Sequence, residues 1–486
     1  MKPPSLIPHL AFLVLASVLL RLWAFAQTPF ANGWDAYFYL VQIRAWIEDG
    51  QMHSPEASLI YPFMRTILWF TGDYVWMYKI GAALLAGAFT AAAMWFTSRS
   101  SLIPHPPFLL LGAWTVFSPH LTYFAAQYPK NLLGVVLLLF FIGSLQDTKT
   151  ARRVWVPAML LIVNYFGHRL TFGLAVAYLI FHLFFAFGKN RLPQVFSPRS
   201  LTWLAGGLMV LVVAGQFFPG LFHLTDFGRL AGAGGFRVHF TPYLFVREFW
   251  PDGRLSVWWL TEILAAVGAI GFAVVQSPKS NVPYLLLCLL LLWPFGEWSL
   301  TGVSYRMFLV FVLLAPLAFA QSRISNARFP TLVLLTAACF VWKSYDPQKH
   351  DPDYAFFQKI ATAATGQLKN RGVELVIAHN ALAEFFTFTT GTDAMPWLPE
   401  YPVAPEKLWR IAADVRPPEL EFYGLAPADG LVFRLPGRYI LLREDHWQQI
   451  LAKARTDGDT DFIERAISWQ NPSRMRPAFL LRRKQR

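Results

Sequence analysis

The sequence predicts a polytopic α-helical membrane protein of about eleven transmembrane helices, followed by a small α/β domain outside the membrane. Three observations predict it. Of the 486 residues, 55% are hydrophobic and only 15% charged, where a soluble protein carries about 25% charged residues. Apolar runs near the ~20-residue spanning length recur from the N-terminus to about Lys343. After the polar, Pro-containing linker "SYDPQKHDPDY" (344–354) the composition turns balanced, with 18 Lys and Arg against 17 Asp and Glu in 351–486.

The expected spans lie near 6–26, 76–97, 107–125, 131–146, 154–167, 170–187, 201–219, 256–275, 282–296, 303–321 and 329–343. Pro119, Pro129 and the "GHR" at 167–169 interrupt the middle ones. With the N-terminus inside, the loops "DTKTARR" (147–153), "GKNRLPQVFSPR" (188–199), "SPKSN" (277–281) and "SRISNAR" (322–328) are all cytoplasmic and all basic, as loop charge bias requires. An odd number of spans then exports the C-terminal part. Before residue 351 there are twelve acids, and in this topology only Asp147 of them faces the cytoplasm. Chemistry that needs a carboxylate therefore belongs to the outer face. The net charge of +13 is mostly a property of residues 1–350, where it follows topology; nothing points to nucleic acid.

The division is thus a membrane domain, 1–346, with a first outer loop at 27–75 and a long outer loop at 220–255, and an outer domain, 351–486. Cys288 and Cys339 sit inside apolar runs and read as buried thiols rather than a disulfide framework. "AFAQ" (24–27) resembles a signal-peptidase site, but Arg21 interrupts the apolar segment near its end and the odd topology uses this helix as a span. In the outer domain "VELVIAH" (373–379), "RYILL" (438–442) and "PAFLLRR" (477–483) read as strands. "DYAFFQKIATAATGQLKN" (353–370), "PEKLWRIAADV" (405–415) and "DHWQQILAKA" (445–454) read as helices. "AHNALAEFF" and "REDHWQQ" read as solvated surface, with no zinc-like spacing.

In the first outer loop, residues 36–49 read as a helix between an N-cap type, Asp35, and a C′ type, Gly50. On a helical count Asp35, Tyr39, Gln42 and Asp49 fall near one stripe, and the helix is expected along the interface with its aromatic residues at headgroup depth. A carboxylate at a membrane edge marks function, yet Asp35 can also simply cap the helix. The two roles are compatible.

The acidic residue in "WDAYFYL", the amphipathic helix ending in "EDG" and the segment "HSPEASLIYP" (53–62) resemble the first outer loop of GT-C glycosyltransferases. These multispanning enzymes take sugars from polyprenyl-phosphate or polyprenyl-diphosphate carriers, and they include the oligosaccharyltransferase and protein-mannosyltransferase-like branches. The resemblance implies an inverting transfer of a hexosyl or pentosyl group to a glycan, lipid or protein acceptor. It places the enzyme in the bacterial inner membrane, with the C-terminal domain periplasmic. Asp35 matches the family's acidic residue at the acceptor, as base or metal ligand, with Tyr39, Gln42, Glu56 and Arg237 as acceptor or loop residues.

The oligosaccharyltransferase branch adds a second acidic pair and binds a divalent cation (Mg or Mn). The turn "FSPHLTYFAAQYPKN" (117–131) has no acid, which favours a single-sugar transferase with a lipid monophosphate donor and leaves metal use open. For the donor phosphate the chain offers Lys130, His168, Arg169 and Arg306. The family's phosphate-binding Arg near the outer end of a late span makes Arg306 the first choice, with snorkelling to headgroups as the competing reading. His168 reads more readily as a satisfied helix-end histidine than as a phosphate or acceptor contact.

The loop 220–255, with Arg229, Arg237, Arg247, Arg254, the hinge-like "AGAGG" and Tyr243, Phe245, Phe249 and Trp250, reads as a lid or as interface anchoring. Two other classes stand beside the transferase: a lipid-linked-sugar transporter or flippase, against which the absence of paired repeats counts, and a noncatalytic assembly protein working through its outer domain.

Overall fold

The computed structural model describes residues 7–53, 56–100, 106–146, 155–195, 257–276, 282–292, 303–321, 351–369, 371–396, 403–416, 419, 422–424, 430 and 432–468. The expected spans at 201–219 and 329–343, the strand at 477–483, Cys339, and the loop 220–255 with Arg237 lie outside the described residues, as do three of the basic loops and the end of the fourth (188–199). By its contacts the chain divides into two compact units, Met1–Pro29 with Glu56–Lys349 and Phe30–Pro55 with His350–Arg486. Much of the first outer loop, residues 30–55, therefore folds with the C-terminal part of the chain.

Along the chain the first helices are α1 (Ile7–Phe25), α2 (Ala36–Glu48), α3 (Ile60–Thr71), α4 (Tyr74–Ser100), α5 (Pro106–Phe117), α6 (Pro119–Gln127) and α7 (Pro129–Gln146). Then come α8 (Trp155–Gly167), α9 (Arg169–Val195), α10 (Val257–Gln276), α11 (Val282–Leu292) and α12 (Val303–Leu314), the last running into a 3-10 segment, Ala315–Gln321. All but α2 belong to the first unit. Among the described residues, Pro8–Phe25 and Tyr74–Ser98 are each long and apolar enough to cross a membrane alone.

The expected spans 107–125 and 131–146 become three pieces. Ser118, extended at ψ 112°, caps α6 by accepting a hydrogen bond from the Leu121 N–H, and Pro119 follows at the first helical position. Tyr128 leaves helical geometry before Pro129, and the axes of α6 and α7 diverge by 118°. Proline forces the residue before it out of the α region. Inside this unit Arg21 is fully buried and donates to the carbonyls of Thr115 (2.8 Å), Val116 (2.6 Å) and Ser118 (3.2 Å), satisfying the open end of α5. Its place in an apolar helix is explained by that partner set rather than by any break in the span.

The second unit carries a five-stranded sheet of order β2-β1-β3-β5-β4, from β1 (Leu375–Ile377), β2 (Ala394–Met395), β3 (Leu408–Ala412), β4 (Val432–Arg434) and β5 (Ile440–Arg443). β2 and β3 run parallel to β1, and β5 runs antiparallel to β3 and β4. Four more helices complete it: α13 (Tyr354–Leu368), α14 (Asn380–Thr390), α15 (Glu444–Thr456) and α16 (Thr460–Ser468). The segment 405–415, expected to be helical, instead holds a 3-10 turn, Pro405–Lys407, and then the central strand β3, whose five residues are all buried. Arg410 on it makes a bidentate pair with Glu444 (2.6 and 2.8 Å), both buried. "AHNALAEFF" is not solvated surface: it forms α14, whose Ala381, Leu382, Phe385 and Phe386 are buried. "REDHWQQ" likewise buries Glu444 and Trp447.

Candidate active site

In the first unit, four residues singled out for a phosphate come together with a carboxylate. The segment after Glu56 is pinned to the end of α8: the Leu59 N–H donates to the Phe166 carbonyl (2.8 Å) and the Ser58 hydroxyl to the Gly167 carbonyl (3.3 Å). Helix α7 can approach the α8–α9 junction closely because it presents Gly134 there. A Cβ on Gly134 would lie 2.2 Å from Thr171 Oγ1 and 2.6 Å from His168 Cβ, and one on Gly167 would lie 2.6 Å from Leu137 Cδ1. Lys130 is one turn ahead of Gly134 on the same face. It forms an ion pair with Glu56, which also accepts from the Tyr61 hydroxyl at 3.1 Å. Burial alone would raise the Glu56 pKa. The charge and hydrogen bond of Lys130, the Tyr61 hydroxyl and the charge of Arg169 outweigh it and hold the carboxyl below its ordinary value.

His168 lies between α8 and α9. Its backbone continues the helical hydrogen bonding to Asn164 and Phe172, and its Nδ1 is sealed from solvent with no partner among the described residues. Desolvation, then the charges of Lys130, Arg306 and Arg169, push its pKa well below the ordinary histidine value, so the ring is neutral at pH 7. Arg306 lies in the first turn of α12 with its guanidinium 5.2 Å from the centre of the Tyr128 ring, and it has no ion-pair partner among the described residues. Lys130 and Arg169 lie in the first turns of α7 and α9. A cation at a helix N-terminus opposes the macrodipole by roughly 0.3–1 kcal/mol. Three such placements acting on one imidazole, with one carboxylate among them, are an arrangement that an anion would stabilise.

The turn 117–131 has no acid of its own, but two acids from elsewhere reach it. Glu56 pairs with Lys130, and Glu262 of α10, buried, accepts from the Ser118 hydroxyl (2.8 Å) and the His120 N–H (3.3 Å). Sequence reasoning missed Glu262. Its signal was an acid inside an otherwise apolar run. Among the described residues no group of three or more His, Cys, Asp or Glu is arranged to hold a metal ion.

In the second unit, Asp35 occupies the N-cap position of α2 at φ −93°, ψ 5°, half-buried, and its side chain makes no capping hydrogen bond. Gly50 has φ +71°, as the C′ position requires. Helix α2, expected along the membrane interface with its aromatic residues at headgroup depth, is instead largely buried in protein. Tyr37 packs on Tyr354, Phe385 and Phe388 at ring-centre distances of 4.7, 4.8 and 5.5 Å. Tyr39 and Gln42, expected on the stripe of Asp35, are both buried. Arg44 pairs with Glu48 and donates to the Phe388 carbonyl at 2.9 Å. The backbone just before Asp35 is also held. The Gly33 N–H and the Asn32 side chain donate to Asp351 (2.7 and 2.9 Å), and the Tyr354 hydroxyl donates to the Gly33 carbonyl.

These observations define a helical membrane fold with a cation cluster at three helix starts, and a separate α/β unit that holds a carboxylate at the start of α2. The fold is similar to the crystal structure of ArnT from Cupriavidus metallidurans in the apo state. The likeness has a TM-score of 0.55 and covers 89% of this chain and 97% of that one, at 9% sequence identity. At that identity the likeness is one of fold. No protein-family model matches the sequence, and no curated protein matches it.

Proposed function

We propose that this protein is an inverting GT-C glycosyltransferase that moves one sugar from a polyprenyl-monophosphate carrier to an acceptor on the outer face of the membrane. The observation that carries this reading is the gathering of Lys130, Arg169 and Arg306 about His168, with α7 packed on His168 at Gly134 and Arg306 over the Tyr128 ring that precedes α7. A transfer that breaks a sugar–phosphate bond leaves negative charge on the phosphate, and fixed cations stabilise that charge most where it develops. In the step proposed, an acceptor hydroxyl attacks the anomeric carbon as its bond to the phosphate oxygen breaks. The phosphate leaves with the electron pair toward the three cations, and the hydroxyl proton passes to a base at the acceptor, the role that the family resemblance gives to Asp35. Neutral His168 contributes a hydrogen bond rather than charge. The cluster itself, three cations and one ion-paired carboxylate, does not fit a divalent cation. The ArnT-like fold supports a lipid-linked donor.

The test is binding by thermal shift in detergent. A polyprenyl monophosphate should raise the Tm, by an amount equivalent to about 2.7 kcal/mol at a hundred times its Kd, and the corresponding alcohol should not. Arg306→Ala should lose most of the shift. Arg306→Lys should lose much of it despite keeping the charge, because the planar fork is gone. A shift equal for the alcohol and the phosphate, or unchanged in both variants, would return Arg306 to packing on Tyr128 and remove the donor site.

A further inference from the structure

We infer that Asp351 and Tyr354 are positioning residues for Asp35, so that the start of the C-terminal unit sets the geometry of the catalytic carboxylate. The inference rests on the reading of Asp35 as base and deepens it. Asp35 occupies the N-cap position of α2. The chain entering that position is held at the peptide two residues earlier. Gly33 has φ +108°, a conformation that glycine alone adopts readily. Both of its polar backbone groups are held, the N–H by Asp351 Oδ1 at 2.7 Å and the carbonyl by the Tyr354 hydroxyl, while Asp351 Oδ2 accepts from Asn32 at 2.9 Å. Hydrogen bonds to an ionised acceptor are roughly twice as strong as neutral ones.

The clamp is in turn rigid. Asp353 caps α13 by accepting from the Phe356 N–H (2.9 Å), which fixes Tyr354 at the first position of that helix. The Tyr354 ring is buried against Tyr37 of α2 and Phe385 of α14. Asp35 is therefore carried between a clamped glycine and a buried helix. Misplacement of a reacting group by about 1 Å can lose about a hundredfold in rate, so the clamp is a catalytic requirement although neither residue touches substrate.

The experiment is a double-mutant cycle on transfer from a polyprenyl-phosphate-linked sugar by the full-length protein in detergent. Asp351→Ala and Tyr354→Phe should each lower kcat by about ten- to a hundredfold, with the KM for the donor little changed. Tyr354→Phe keeps the buried ring and removes only the hydroxyl, so it reads the clamp even if Asp351→Ala folds poorly. In an Asp35→Asn background neither change should lower the residual rate further, because there is no base left to misplace. The exchange Asn32→Asp with Asp351→Asn restores a donor opposite an acceptor and should recover most of the rate lost by Asp351→Asn alone. Wild-type kcat in Tyr354→Phe and Asp351→Ala, with Asp35→Asn inactive, would overturn the clamp and leave the base standing. Losses that multiply in the Asp35→Asn background would make the contacts structural only. A wild-type rate in Asp35→Asn would remove the base itself, a different failure.

Discussion

At the scale of single residues, Asp35 can be separated from its position. A cap is worth roughly 1 kcal/mol, and Asn and Ser are N-cap types as good as Asp, so Asp35→Asn and Asp35→Ser should leave the Tm near wild type. Neither can accept the acceptor's proton, and general-base catalysis is typically worth about a hundred- to ten-thousandfold. Transfer should fall by at least the lower figure, while Asp49→Asn, at the far end of α2, stays close to wild type. Transfer at the wild-type rate in Asp35→Asn would sink the role. Glu56 gives a prediction in pH. Its folded pKa is lowered by Lys130, Tyr61 and Arg169 against the opposing effect of burial, so its contribution to stability is present above about pH 4.3 and is lost as pH falls through the lowered value. Thermal melts of wild type and Glu56→Gln should therefore converge on the acid side and differ at neutral pH. A difference that persists unchanged into acid would mean the ion pair contributes nothing. Each member of the cation cluster was legible singly, as a polar residue ending an apolar run. That they meet was not, because linear spacing does not say which helix ends share a level.

At the scale of elements, glycine and proline decide what the hydropathy pattern leaves open. Gly134→Leu would drive a side chain into His168 Cβ and Thr171. Overpacking of this kind typically loses about 1–3 kcal/mol. Because it pushes α7 from the α8–α9 junction, it should weaken binding of a polyprenyl phosphate along with the Tm. Gly173→Leu, where a Cβ meets nothing within 4 Å, is the control, and equal losses in both would undo the argument. The bend between α6 and α7 shows the same logic: Pro129, expected to interrupt the apolar runs, follows the residue at which α6 ends, and the two axes diverge by 118°. At 405–415 the pattern itself is ambiguous. Leu408, Trp409, Arg410, Ile411 and Ala412 are all buried, since β3 lies between β1 and β5. A strand buried on both faces loses its alternation and cannot be told from a helix by period.

At the scale of the whole molecule, the basic loops still set the expected orientation. Cysteines engineered at Lys149 and Glu400 should report it: a membrane-impermeant thiol reagent applied from outside should label position 400 and spare 149. The reverse pattern would turn the proposed active face to the cytoplasm and end the reading of a lipid-linked donor used outside. The division of the chain is a separate matter. Residues 30–55 fold with His350–Arg486, which a hydropathy pass assigns to the loop of the membrane part because the two segments are some three hundred residues apart in sequence.

The sequence by itself determined the helical membrane class, the approximate place of most described helices, the helix 36–48 with its glycine stop, and a mixed α/β composition after residue 351. Hydrophobic periodicity, proline and glycine are local, and they act within the segment that carries them. Tertiary structure alone decided that Arg21 caps α5, that Glu56 neutralises Lys130, that Lys130, Arg169 and Arg306 act on His168, and that Asp351 and Tyr354 hold the peptide before Asp35. Each of these is a polar group finding a partner far along the chain. Burial makes such pairing obligatory, but it leaves the identity of the partner to the packing.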